Sequence, residues 1–177
     1  MNALPDAAGL LLVAVLAICA VTDLWCGLIY NWVSLPAAGL GLVLAAWQGG
    51  WPGLGVAGLG LLLGGGLFLL PYLLGAVGGG DVKLMAAVGA LAGPAFALKT
   101  VLYGCLVGGA WALAVMLAKG RLLAGLANFW RVLRGAVVPG LKAEPPRDLG
   151  LPGIPLAVCL AGGALWARFF DLWPVRG

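Results

Sequence analysis

Long apolar runs constrain this chain before anything else does. Several approach or exceed the roughly 18 apolar residues that read as a transmembrane helix, and they recur from one end of the sequence to the other. Of 177 residues, 63% are hydrophobic and only 9% are charged. A soluble domain carries about 25% charged residues, so this composition cannot cover a water-facing surface. The 31 glycines keep no fixed period. They are scattered among Leu, Ala and Val, as expected where helices pack closely through small residues in lipid. The expectation is an all-α, polytopic integral membrane protein of about six transmembrane helices, residues 1–177 forming one domain.

In chain order the spans read as about 7–25, 32–48, 54–74, a shorter helix 81–91 ended by Gly93-Pro94, then 96–117 and 154–173. Trp47 and Trp51 flank a turn at 49–53, as interfacial aromatics do. No basic residue precedes the first run, so it is expected to stay as a span rather than leave as a signal peptide. The 118–150 segment differs in composition. Leu122, Leu126, Phe129, Trp130 and Leu133 share one helical face, with Asn128, Arg131 and Arg134 opposite, which predicts an amphipathic helix lying among lipid headgroups. Pro139, Pro145 and Pro146 then end regular structure.

Topology follows from charge. The 118–150 segment holds Lys119, Arg121, Arg131, Arg134, Lys142 and Arg147 against Glu144 and Asp148, so the positive-inside rule puts it in the cytoplasm. Counting back, the 26–31 and 75–80 loops are expected on the same side and both termini outside. Arg168 and Arg176, near the outer end of the last span, weigh mildly against this. The formal charge of +4 is dispersed and does not suggest a nucleic-acid partner; membrane lipids are the expected surroundings.

Two acidic residues, Asp23 and Asp81, stand at span ends that this topology brings to the cytoplasmic side. A charge at membrane depth costs a few kcal/mol, so such a residue is a functional candidate by default. Each also has a plainer reading. Asp23 can be an interfacial carboxylate that ends its span in headgroup water. Asp81, after Gly78-Gly79-Gly80, can cap free N–H groups at a helix start. Lys83 points away from Asp81 on a helix and is expected to snorkel to anionic headgroups. Asp6, Glu144, Asp148 and Asp171 read as solvated or interfacial. Histidine is absent, which excludes His-based triads, ligands and relays, and Cys19, Cys26, Cys105 and Cys159 form no CxxC pair. Neither a metal nor a cofactor is expected. Two carboxylates within about 3–5 Å share a proton, one acting as base on a water and the other as acid. That is the chemistry of aspartic proteolysis. A small proton- or cation-coupled transporter using the same carboxylates, or a membrane scaffold with both merely interfacial, stays open at this point.

Asp23 followed by Ile29 and Asn31 resembles the first signature of the type IV prepilin peptidase family, an Asp and then Ile-Pro-Asn, with Tyr30 where the family often has Pro. Gly78-x-Gly80-Asp81-x-Lys83-Leu84 resembles its second, the Gly-x-Gly-Asp aspartyl motif. Ile154-Pro155-Leu156-Ala157 is similar to the start of the family's last helix. The resemblance implies an aspartic endopeptidase of the bacterial inner membrane, multi-pass, which removes the leader of prepilins or pseudopilins at the cytoplasmic face and needs no cofactor. It makes Asp23 and Asp81 the catalytic pair, and Asn31, Gly78, Gly80 and Lys83 substrate-binding or supporting residues. Presenilin-like Gly-x-Gly-Asp proteases are the nearest rival, against which Asp23 with Ile29 and Asn31 argues. Longer members carry an N-terminal domain with paired CxxC motifs linked to N-methylation. Without these, the chain looks like the short form found with tight-adherence (Flp-type) pili.

Overall fold

A computed structural model describes residues 7–120, 130 and 155–169. Every element among them is an α-helix: α1 (Ala7–Cys26), α2 (Asn31–Leu73), α3 (Gly79–Ala118) and α4 (Leu156–Phe169). Helix is what apolar runs of this length dictate in lipid, because it pairs every backbone N–H and C=O within its own segment. By length and composition α1, α2 and α3 suffice to cross a membrane, whereas α4 is described over 14 residues. The amphipathic helix expected within 118–150 falls outside the described residues except for Trp130, as do Asp6, Glu144, Asp148 and Asp171.

Two glycines divide the long helices. Gly50 (φ 59°, ψ −146°) lies in α2 and Gly93 (φ 82°, ψ 172°) in α3, at the turns expected near 49–53 and at Gly93-Pro94. These angles are open to glycine and strained for other residues. Pro94 follows Gly93 at once and Pro52 stands two residues after Gly50, where the missing N–H of proline leaves no helical bond unmade. Along an unbroken helix Gly41 and Gly60 would stand about 28 Å apart at 1.5 Å per residue. Instead a β-carbon on Gly41 would meet Ala90 C at 2.9 Å, and one on Gly60 would run into the carbonyl oxygen of Gly89. Both halves of α2 therefore lie against the same stretch of α3, and α2 is a hairpin.

That stretch is the centre of the molecule. Leu84, Met85, Ala87 and Val88 have no exposed surface, and Ala90 has almost none. The segment expected to be the shortest span is thus the one the others surround. The small residues make this possible. Gly60 and Gly89 face each other so closely that a β-carbon on either would collide with the carbonyl oxygen of the other, and Gly64 meets the carbonyl of Met85 in the same way. Beyond Gly93, α3 runs antiparallel to α4. Gly104 packs on Leu160, where a β-carbon would stand 2.9 Å from Cδ2, and Gly163 packs on Gly104 and on the Thr100 carbonyl. In lipid such backbone approach, through dispersion and close fit, replaces the hydrophobic effect as the force that joins helices. Outward the chain presents Trp25, Leu62, Leu70, Leu106 and many other large apolar side chains, a surface suited to acyl chains and not to water.

Candidate active site

The local sequence sets both helix ends that carry the acidic residues. Gly27 (φ 61°) closes α1, its N–H donating to the Asp23 carbonyl at 2.9 Å; this is the αL form of helix stop, and it places Asp23 in the last turn. Gly75 (φ 72°) closes α2 with a Schellman pair, the N–H of Ala76 donating to Pro71 O and that of Gly75 to Tyr72 O, both at 2.9 Å. The short segment from Ala76 to Gly78 then leads into α3, where Asp81 is the third residue.

Asp81 is buried and its Oδ2 accepts from the N–H of Gly78 at 2.9 Å. This is the reach-back half of a capping box, with Gly78 offering no side chain for the other half. The capping role expected of Asp81 is therefore present. Asp23 is half-buried, and its Oδ2 accepts from the N–H of Ala157 in the first turn of α4, also at 2.9 Å. Each carboxylate thus rests on the amino-terminal amides of a helix, where the macrodipole favours negative charge. Asp81 uses its own helix and Asp23 a distant one.

The two carboxylates line one cavity of about 890 Å³. Its wall is made by the end of α1, the segment from Gly27 to Ile29, the segment from Ala76 to Gly80, and Pro155 with Leu156. Around it the two sequence signatures touch directly. Ile29 packs on Gly80, where a β-carbon would stand 2.8 Å from Ile29 Cβ and 3.2 Å from its carbonyl oxygen. Lys83 Nζ donates to Asn31 Oδ1 at 2.8 Å. This bond gives Lys83 a protein partner beside the headgroup contact expected of it. Lys83 is half-buried and two residues beyond Asp81, and its bond to Asn31 places its amino group at the start of α2. Gly78 serves through its backbone N–H, and Gly80 through its lack of a side chain.

Tyr30, the departure from Ile-Pro-Asn, precedes α2 with φ −76° and ψ 129°. Proline has φ near −65°, so this position keeps the backbone of the pattern without its residue. Among the described residues no group of His, Cys, Asp and Glu is arranged to hold a metal ion.

A model of the Type IV leader peptidase family matches residues 10–113, more than half of the sequence. The chain belongs to the Type IV leader peptidase family. Membership makes it a leader-peptidase-type protease of the membrane, and the matched span includes both Asp23 and Asp81. No curated protein and no solved structure matches the chain. Two contributors to the site escaped residue-by-residue reading. Ile29 stands in the sequence only as part of a signature, and its packing on Gly80 depends on the fold. The amide of Ala157 is a backbone group, and the only trace it leaves in sequence is a helix start after Pro155 whose first N–H groups need partners.

Proposed function

We propose that this leader peptidase is an intramembrane aspartic endopeptidase of the Gly-x-Gly-Asp type, with Asp23 and Asp81 as its catalytic pair. The observation that carries this reading is that the two carboxylates, far apart in sequence, line one cavity from the ends of α1 and α3. The chain crosses the bacterial inner membrane in six spans, the halves of α2 and α3 counting separately, with the cavity toward the cytoplasm. Its substrates are prepilins or pseudopilins. Their apolar helix lies in lipid beside the protein while the extended bond ahead of that helix enters the cavity.

Across the cavity the pair holds a water and shares one proton. One carboxylate removes a proton from the water as its oxygen attacks the scissile carbonyl carbon. The other, protonated, donates to the carbonyl oxygen. Collapse of the tetrahedral intermediate breaks the C–N bond, and a carboxyl proton passes to the departing nitrogen. The proton belongs to the pair and not to either residue alone. Asn31 and Lys83 tie the start of α2 to α3, and Gly80 lets Ile29 close the same seam; these supporting roles keep the two acidic helix ends in register.

Co-expression with a type IV prepilin tests the substrate class. Mass spectrometry of the pilin is expected to locate a single cut between the basic leader and the apolar segment, present only when this chain is produced. Intact prepilin beside correctly inserted, folded protein would contradict it.

A further inference from the structure

The bond between Asp23 and α4 lies outside what the family match covers, since the match ends at residue 113. The N–H of Ala157 donates to Asp23 Oδ2 at 2.9 Å across 134 residues of sequence. Ala157 is the second residue of α4, and the first-turn amides of a helix have no carbonyl of their own to bond. Among the described residues the first intrahelical bond at this end is donated by the N–H of Cys159 to Pro155 O at 3.2 Å. Asp23 therefore satisfies an amide that lipid cannot. The need runs both ways, because Asp23 sits in the last turn of α1, where the helix dipole disfavours a carboxylate. The start of α4 is held firmly: Ala157 is fully buried, and Cys159 and Leu160 have at most 2% of their surface exposed. Pro155 and Leu156 meanwhile form part of the cavity wall.

We propose that the first turn of α4 is the positioning element for Asp23. Donation from Ala157 fixes Oδ2 and leaves the second carboxylate oxygen to the water in the cavity, so α4 sets the angle at which Asp23 meets that water. This rests on the reading of Asp23 as one of the catalytic pair. The group concerned is a main-chain amide, so every residue except proline supplies it.

The test uses the full chain in reconstituted membranes with a purified prepilin, comparing Ala157→Pro with Val158→Pro. Both place proline in the first turn of a helix, where it is tolerated, but only the former removes the amide that Asp23 uses. Ala157→Pro is expected to lower kcat about a hundredfold, the scale of a misplaced catalytic group, with KM changed less than about threefold and the thermal midpoint near wild type. Val158→Pro is expected to stay within about fivefold of wild type in kcat. Where Ala157→Pro does not fold, an amide-to-ester replacement at residue 157 removes the same N–H with little change of shape and is expected to give the same split. Wild-type kcat in the proline or the ester variant, or an equal loss in Val158→Pro, overturns the proposal. An Asp23→Asn protein that still cleaves overturns the underlying reading instead, whatever residue 157 does.

Discussion

Asp23 and Asp81 occupy helix ends of opposite polarity, yet each carboxylate ends on amino-terminal amides. For Asp81 this follows from its place as the third residue of α3; for Asp23 it takes a second helix. An exposed charge at a helix end is worth about 0.3–1 kcal/mol, and more where partly buried, so both sites gain from the arrangement. Around them, close contact does more than charge. Because a β-carbon on Gly80 would stand 2.8 Å from Ile29 Cβ, Gly80→Ala is expected to cost about 1–3 kcal/mol by overpacking and to slow cleavage, with Ile29→Gly in the same chain, which removes the contacted Cβ, restoring part of the loss. Thermal unfolding in detergent and kcat for the two single variants and the double check this; a double variant no better than Gly80→Ala would contradict it. The Lys83–Asn31 bond at 2.8 Å makes a second prediction. Asn31→Leu and Lys83→Met are expected to lower kcat/KM without adding in the double variant, as residues sharing one bond do, while strictly additive losses would mean that they act apart.

At the scale of elements, the broken helices α2 and α3 decide the architecture. Their approximate limits, and the turns at Gly50 and Gly93, were legible in the sequence because glycine-proline neighbourhoods interrupt otherwise apolar runs. Which helix sits in the middle was not, since Leu84, Met85 and Val88 are no more apolar than Leu62 or Leu106, yet the first group is buried and the second exposed. In a membrane both faces of a helix are apolar, so periodicity cannot separate core from lipid. The signal lay in the glycines, whose partners only the fold reveals. Asp23 and Asp81 stood out because a carboxylate at the end of an apolar span is costly in lipid. Ala157 did not, because a backbone amide has no letter. The Gly60–Gly89 crossing, where neither glycine leaves room for a β-carbon, is expected to be among the least tolerant contacts. Gly60→Ala or Gly89→Ala should lower the thermal midpoint sharply in detergent, whereas Gly58→Ala, whose β-carbon would meet nothing within 4 Å, should leave the midpoint within a few degrees.

For the whole molecule, the cavity lies where the Gly27–Ile29 and Ala76–Gly80 segments meet the start of α4, and the proposed orientation, argued from loop charge, turns that end to the cytoplasm. Reporter fusions at Gly79 and Lys142 are expected to read as cytoplasmic, and an outside signal at either would reverse the orientation. The central claim is that Asp23 and Asp81 act as one unit on one water, and the most direct measurement is the cleavage rate of a reconstituted prepilin by wild type, Asp23→Asn, Asp81→Asn and the double variant. Groups that work as a unit lose their effect together, so each single variant should fall at least about a thousandfold below wild type, with the double no lower than either. A single variant that cleaves at near the wild-type rate while remaining folded would contradict the account.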